Sequence, residues 1–420
     1  MQRVACHTLG CKLNFSESST IIRQLEDKGY ERCAFSDEAD VYIINTCSVT
    51  EQADKECRQL IRKVKRLNPA SRVVLTGCYA QLKSEQLAAM EGVDLVIGAD
   101  EKFNLHQHLE NLYTDSMEKI CGGDLERIHT FHAASSGHER TRAFLKVQDG
   151  CDYTCTFCTI PLARGYSRSD SLNGVLGNAR ELEEAGVQEI VLTGVNLGDF
   201  GKGYEGAEKK EDDFFSLMQL LEEETAIPRY RISSIEPNLM RDEMIHWLAG
   251  SRRFMPHLHM PLQSGNNEVL GLMRRRYRRE LYADKVRLIK SLMPHACIGV
   301  DVIVGFPGES DQAFEDTRAF LASLDISYLH PCQPFLFHIE LNDLFCLLCN
   351  LSNLCLYFWQ TNHEVLDSFL NQMFPLIYLR NTSRKRELIH PTFLQMMLDL
   401  RKNNILCYQH THFFPNWQHL

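Results

Sequence analysis

Along the first 130 residues, short apolar runs alternate with longer amphipathic stretches. The runs Arg3–Thr8, Asp40–Asn45, Arg72–Thr76 and Asp94–Ile97 have strand length, and Ser16–Lys28 and Thr50–Leu67 carry helical spacing between them. Strand, helix, strand in repetition predicts a parallel sheet with helices on its faces. After a connector at Cys121–Arg140 the alternation resumes. Its candidate strands are Ala143–Gln148, Glu189–Thr193, Tyr230–Ser234, His257–Met260, Ile298–Val304 and Tyr328–His330. Six βα units predict a partial (β/α)6 barrel, and the turns at Pro237, Pro261 and Gly305–Gly308 fall just after strands, where such folds keep their chemistry. The expected class is α/β, with a parallel-sheet domain over residues 1–130 and a barrel over 141–330.

The pattern breaks at Pro331. From there to Leu420 the chain has no Gly and no Ala, a single Val (Val365) and five cysteines (Cys332, Cys346, Cys349, Cys355, Cys407), and no clean period runs through it. A foreign C-terminus from a frameshift or inserted element fits this, and so does an unusual helical domain; its fold is unknown from the sequence. Leu344–Trp359 is apolar, but Asn350, Ser352 and Asn353 interrupt it and it is short of a bilayer span, so no membrane association is expected.

The composition is that of a folded, water-exposed protein: 420 residues, 44% hydrophobic and 24% charged. With 45 Lys and Arg against 55 Asp and Glu, the net charge of −10 argues against indiscriminate coating of nucleic acid and leaves room for a local basic groove. No charged-then-apolar leader opens the chain, so the expected location is cytoplasmic. Sixteen cysteines in such a chain point to metal or redox chemistry more than to a disulfide scaffold.

Three of those cysteines lie in Cys151-Asp-Tyr-Thr-Cys155-Thr-Phe-Cys158, just after the Ala143–Gln148 strand. Thiolates at spacings of four and three reach three corners of a [4Fe–4S] cube from one tight loop and leave the fourth iron open for another ligand. Cys155-x-x-Cys158 alone would also serve as half a zinc site or a redox pair, but zinc wants a second pair nearby, and Cys346-x-x-Cys349 lies in the anomalous tail. A second trio, Cys11, Cys47 and Cys78, stands at the ends of three separate predicted strands, in Thr-Leu-Gly-Cys11, Ile-Asn-Thr-Cys47 and Leu-Thr-Gly-Cys78. A parallel sheet gathers such ends on one edge, so these thiols make another tripod with an open iron. Buried, inert cysteine is the plainer reading of any one of them, and it is preferred for Cys6, Cys33, Cys57, Cys121 and Cys297, which lack this placement.

The Cys-x3-Cys-x2-Cys loop resembles that of the radical S-adenosylmethionine (SAM) enzymes. The flanking text Thr8-Leu-Gly-Cys-Lys-Leu-Asn-Phe-Ser-Glu-Ser18, Asn45-Thr-Cys-Ser-Val-Thr50 and Arg140-Thr-Arg-Ala-Phe-Leu-Lys-Val-Gln-Asp-Gly-Cys151 is similar to the radical SAM methylthiotransferases. Within them it resembles the MtaB type, which acts on threonylcarbamoyladenosine in tRNA. Ile160-Pro-Leu-Ala-Arg-Gly-Tyr-Ser-Arg-Ser169, His259-Met-Pro-Leu-Gln-Ser-Gly265 and Met273-Arg-Arg-Arg-Tyr277 add to the likeness, which covers about residues 1–330.

The resemblance implies two [4Fe–4S] clusters and SAM as cofactors. Cys151, Cys155 and Cys158 would hold the cluster that binds SAM and yields a 5′-deoxyadenosyl radical. Cys11, Cys47 and Cys78 would hold a second cluster carrying an extra sulfur that one SAM methylates, while a second SAM supplies the radical. Phe157 would pack near the adenine, Gly194, Val195 and Asn196 would meet the methionine amine, and Glu236 would reach the ribose. Val304 and Gly305 would lie along the adenine, with Gln263 a further pocket candidate; Glu236 and Asn196 could equally stabilise turns. The substrate would be a tRNA anticodon loop modified at C2 of the adenosine at position 37, and a flavodoxin or ferredoxin would be the reductant. The basic run Arg274, Arg275, Arg276, Arg278, Arg279, the helix face Arg58, Arg62, Lys63, Lys65, Arg66, and Arg164 and Arg168 beside the loop can hold phosphates, with Tyr277 able to stack on a base; a solvated surface is the commoner reading of any one such run, and the resemblance favours the anticodon loop. Alternatives are the same chemistry on a ribosomal-protein aspartate, or a truncated, inactive family member: the RNA-gripping TRAM domain expected after the barrel is not recognisable in 331–420. Gly201-Lys-Gly-Tyr-Glu-Gly206 fits a dinucleotide fingerprint but lacks strand–turn–helix context and is read as a loop.

Overall fold

A computed structural model describes residues 1–47, 51–112, 118–125, 128, 130–137, 142–202, 212–332 and 406–407. Nearly all of the 331–420 tail, including Cys346 and Cys349, and most of the Gly201–Gly206 motif lie outside the described residues.

The first strands are β1 (Arg3–Thr8), β2 (Glu31–Arg32), β3 (Val41–Thr46), β4 (Arg72–Gly77), β5 (Leu95–Ile97) and β6 (Ile120–Cys121). They form one parallel sheet in the order β2-β1-β3-β4-β5-β6. Helices α1 (Lys12–Asp27), α2 (Glu51–Leu67), α3 (Cys78–Leu82), α4 (Ser84–Ala88) and α5 (Leu105–Asn111) connect the strands. Alternation along β3 splits the core between the two sheet faces. Tyr42 and Ile44 pack with Ile61 and Val64 of α2, whereas Val41 and Ile43 pack with Ile21, Ile22 and Leu25 of α1. Helix α1 starts four residues before its expected Ser16. Its first turns bury Asn14, Ser16, Glu17 and Ser18, so apolar spacing does not announce them.

The second unit contains β7 (Ala134–Ser135), β8 (Ala143–Lys146), β9 (Gln148–Asp149), β10 (Arg168–Ser169), β11 (Glu189–Thr193), β12 (Arg229–Ile232), β13 (His257–His259), β14 (Cys297–Ile303), β15 (Tyr328–Cys332) and β16 (Leu406–Cys407). Its helices are α6 (Ile160–Arg164), α7 (Leu172–Glu184), α8 (Phe214–Glu224), α9 (Asp242–Gly250), α10 (Asn267–Leu272), α11 (Arg279–Leu292) and α12 (Asp311–Ala322). Side chains of Ser171, Asp213, Asn266 and Ser310 cap four of them. Strands β8, β11 and β12 pair in parallel, as do β13, β14 and β15. The two runs meet where Tyr230 N–H donates to Arg253 O at 2.7 Å and Met255 N–H donates to Tyr230 O at 2.9 Å. The result is the expected open six-stranded barrel, whose outer strand faces share one core with the helices, from Leu145, Leu192, Ile232 and Val300 to Val175, Leu221, Ile245 and Val286.

Helix α1 lies over the inner face of β8. Phe15 meets Phe144 edge-on at 5.9 Å, and Arg23 donates to Ser135 O at 2.7 Å. The sheet edge bearing Cys11 is thereby brought to the barrel. Among the described residues no helix is long and apolar enough to cross a membrane.

Candidate active site

Cys47 and Cys78 follow directly on β3 and β4, and Cys11 comes three residues after the end of β1; these are neighbouring strands of the parallel sheet, so their carboxyl ends share one edge. Two glycines turn the chain there. Gly10 (φ 102°) and Gly77 (φ 95°) sit in the left-handed region that a side chain disfavours. A Cβ on Gly10 would come within 2.8 Å of Cys47 Cβ and 2.9 Å of its Sγ, which brings the first two cysteines of the trio together. Cys11 in turn lies within electrostatic reach of Cys78, whose thiol pKa is raised chiefly by burial.

The loop trio is held differently. Cys151 N–H donates to Gly165 O at 3.1 Å, Cys158 N–H donates to Cys155 O at 3.1 Å, and Tyr153 N–H donates to Cys151 Sγ at 3.4 Å. Burial pushes the Cys151 thiol up to about 12 and raises Cys158, with the neighbouring thiols adding to both. Arg275 donates to Cys155 Sγ at 3.2 Å, pairs with Glu236 and reaches Tyr277 Oη at 3.2 Å. Phe157 packs on Val269, Met273, Ile303 and Phe306 beside the loop.

All six cysteines are free thiols. Two clustered sets of soft donors, with no other ligand to either among the described residues, fit iron–sulfur clusters that keep an open iron. Beyond the loop, the turn after β11 offers a group suited to an amino-acid headgroup. Asn196 is buried, its N–H donates to Gln148 Oε1 at 2.8 Å and its Nδ2 to Asp199 at 2.8 Å, while its Oδ1 has no partner among the described residues, an acceptor suited to an ammonium. A Cβ on Gly194 would lie 2.8 Å from Leu197 and 2.9 Å from Gln148, so the backbone there packs against those side chains and leaves no room for one of its own. Val195 stands between these two. Gln263 adopts φ 67°, a strained conformation for a side-chain-bearing residue. Val304 is buried, and Gly305 N–H donates to Glu309 Oε2 at 2.6 Å.

Several basic residues have other work than the phosphates expected of them. Arg164 and Arg168 are buried with Glu17, Lys102, Lys146 and Asp149. Glu17 meets Lys102, Lys146 and Arg164 at 2.7, 2.9 and 3.1 Å, and Asp149 meets Lys146, Arg164 and Arg168 at 2.7, 3.0 and 3.1 Å. Arg164 also donates to Asn14 Oδ1 at 2.5 Å, so α1, which follows Cys11, and α6, which follows Cys158, are tied together. The surrounding cations hold both carboxyls well below the usual carboxylate range against the opposing effect of burial. Tyr277 is buried, and its hydroxyl faces Pro261 O at 2.8 Å, so it offers no face to a base. Arg275 points to the loop and Arg279 donates to Gly265 O, whereas Arg274, Arg276 and Arg278 are exposed. On α2, Lys65 pairs with Asp94 at 2.9 Å, and Arg58, Arg62, Lys63 and Arg66 remain exposed.

The barrel lumen holds a polar chain that the sequence reading did not single out. His259 lies 2.9 Å from Asp301 and 3.2 Å from Tyr328 Oη, which lies 3.1 Å from His257. His330 completes the group, and Gly299 leaves the space that the Tyr328 ring fills. Burial, with Arg231 and Lys12 nearby, lowers His257 to about 4, so it is neutral at pH 7. Its sequence signal was period-two alternation, with Gly299 and Asp301 set among Ile298, Val300 and Val302.

The chain matches two protein families: the uncharacterized protein family UPF0004 over residues 3–98 and the radical SAM superfamily over residues 145–321. It is 40% identical over 334 residues to the threonylcarbamoyladenosine tRNA methylthiotransferase MtaB of Bacillus subtilis, covering 79% of this chain and 73% of that one. It is likewise 40% identical over 333 residues to the MtaB of Aquifex aeolicus, covering 78% and 79%. Among solved structures, its fold is similar to that of the radical SAM methyltransferase TsrM from Kitasatospora setae, with a TM-score of 0.59 at 14% identity over 79% of this chain and 73% of that one.

Proposed function

The chain belongs to the radical SAM methylthiotransferase family, and from that premise we propose that it transfers a methylthio group to C2 of N6-threonylcarbamoyladenosine at position 37 of tRNA. The observation that carries this reading is the pair of cysteine trios, one at the sheet edge and one on the barrel loop, joined through the α1–α6 ion network. Cys151, Cys155 and Cys158 would hold one [4Fe–4S] cluster and Cys11, Cys47 and Cys78 the other. Bound there, the clusters and SAM supply a radical able to take hydrogen from an unactivated carbon, and a sulfur held apart from it.

The chain's own residues bind and orient. Asn196 Oδ1 accepts from the SAM amine, with Gly194 and Val195 beside it in the same turn. Glu236, held beside the loop by Arg275, would reach the ribose, and Arg275 fixes the Cys155 sulfur. Phe157, Val304, Gly305 and Gln263 enclose the adenine. A flavodoxin or ferredoxin class of protein supplies electrons, and the exposed arginines Arg274, Arg276 and Arg278 meet the anticodon loop.

The test is Cys47→Ala. SAM cleavage by reduced, anaerobically reconstituted protein should persist, while nucleoside analysis of tRNA should find no methylthio product. Full product from that variant would remove the sheet-edge cluster from the reaction.

A further inference from the structure

The barrel lumen gathers metal-ligating side chains that belong to neither cysteine trio. In the parallel pairing of β13, β14 and β15, His259 lies opposite Gly299, and Asp301 lies opposite His330. Side chains alternate along a strand, and Leu258, Ile298, Val300, Val302 and Leu329 take the outer face and its helix-packed core. His257, His259, Asp301, Tyr328 and His330 therefore share the inner face. Gly299, having no side chain, leaves the Tyr328 ring room beside them.

Three of these residues converge. One ligand atom each from His259, Asp301 and His330 lies within 4.8 Å of the other two, and His259 Nε2 stands 2.9 Å from Asp301 Oδ2. Ligands at about 2.0–2.2 Å around a tetrahedral ion stand roughly 3.4 Å apart, so side-chain rotations of about an ångström seat one. The other ring nitrogen of His259 is also provided for. His259 Nδ1 lies 3.2 Å from Tyr328 Oη, which lies 3.1 Å from His257 Nε2. With a metal on Nε2, the His259 proton sits on Nδ1 and donates to Tyr328, and that hydroxyl donates on to His257. Metal-bound imidazoles are oriented by such a second hydrogen bond, and His257, neutral at pH 7, can accept at the end of the chain. The side chains of His259 and Asp301 keep 13% and 27% of their surface exposed, so an ion can enter.

The donor set selects the ion. Two imidazoles and one carboxylate suit first-row transition cations, whereas Mg2+ and Ca2+ prefer sites built of oxygen alone. We propose that His259, Asp301 and His330 form a binding site for one divalent transition-metal ion of the Zn2+ or Fe2+ class, additional to the two cysteine trios. Three protein ligands leave at least one coordination position open to the lumen, where the ion can hold an oxygen or nitrogen donor of a bound molecule. The inference needs the barrel alone and does not rest on the tRNA reading.

The experiment uses the full chain, anaerobically reconstituted with iron and sulfide and left oxidised, so that its clusters are EPR-silent, with Mn2+ as the probe. An EPR titration should find one Mn2+ bound per chain, and electron spin-echo modulation should show nitrogen couplings from coordinated imidazole, which cysteine-bound metal would lack. Zn2+ should displace the Mn2+ at lower concentration, following the ordinary order of divalent affinities, and millimolar Mg2+ should not. His330→Ala and Asp301→Asn should each weaken Mn2+ binding by about a hundredfold or more, and Tyr328→Phe, which removes only the orienting hydroxyl, by about tenfold. Iron content equal to that of the wild type reports that a variant has folded; for a variant that fails this, the nitrogen couplings of the wild type decide alone. A wild type that binds no Mn2+, bound Mn2+ without nitrogen couplings, displacement by Mg2+ as readily as by Zn2+, or unchanged affinity in folded His330→Ala each overturns the proposal.

Discussion

Glu17→Gln removes the single carboxylate on which Lys102, Lys146 and Arg164 converge at 2.7, 2.9 and 3.1 Å. The side chain is fully buried, so no water replaces the lost charge. At an effective dielectric of about 20, each such contact is worth roughly 5–6 kcal/mol before desolvation. Desolvation offsets most of that, and breaking a buried pair by removing one partner typically costs about 3–5 kcal/mol. Asp149 still neutralises Lys146 and Arg164, which places the expected cost at the lower end, about 3 kcal/mol. That corresponds to a more than hundredfold rise in opening of the joint between α1 and β8, about one decade per 1.4 kcal/mol. Segment-resolved hydrogen exchange should show it as lost protection in α1 and β8, with the helices α9 and α11 on the far side of the barrel little changed. The pH sign follows from the depressed Glu17 pKa. Its contribution is fully present above the ordinary carboxylate range and is lost only as pH falls through the depressed value, so the difference between variant and wild type should stay constant from about pH 5 to 8. A difference below about 1 kcal/mol, or one spread evenly over the whole chain, would refute the claim that this network joins the two cysteine-bearing units.

Two further outcomes follow from single residues. Gly10→Ala forces a side chain into φ 102° against Cys47, and should cost about 1–3 kcal/mol while lowering iron bound at the sheet edge and sparing the loop, read by urea unfolding and by iron assay. Arg275→Met removes the cation that donates to Cys155 Sγ at 3.2 Å and holds Glu236, so an EPR-monitored redox titration should find the loop cluster at a more negative potential, with weaker SAM binding by equilibrium dialysis. An unchanged potential would leave Arg275 a packing residue.

The strands were legible because their apolar runs are short and bounded: β1 and β11 match the sequence reading at both ends, and the other main strands differ by a residue or two. Both cysteine trios stood out because each sits where a strand stops. What periodicity could not reveal was charge buried among charge. Arg164 and Arg168 were expected to meet phosphates, and Glu17, Lys102, Lys146 and Asp149 drew no expectation, since a sequence does not say that Arg164 has its carboxylate partner 147 positions away. The arginine run misled for a related reason. Its turn, with Arg274 at φ 57°, sends Arg275 and Tyr277 inward while Arg274, Arg276 and Arg278 stay outside. The lumen chain of His257, Tyr328, His259 and Asp301 was hidden because each member is ordinary in its own strand and only the barrel closes them together.

The most direct test is an iron and sulfide count, with Mössbauer spectra, on three anaerobically reconstituted proteins: the wild type, a variant with Cys151, Cys155 and Cys158 all changed to Ala, and one with Cys11, Cys47 and Cys78 all changed to Ala. Two open cubes per chain give about eight irons in the wild type and about four in each variant. About four irons in the wild type, with no loss on removing the sheet-edge trio, would contradict the account.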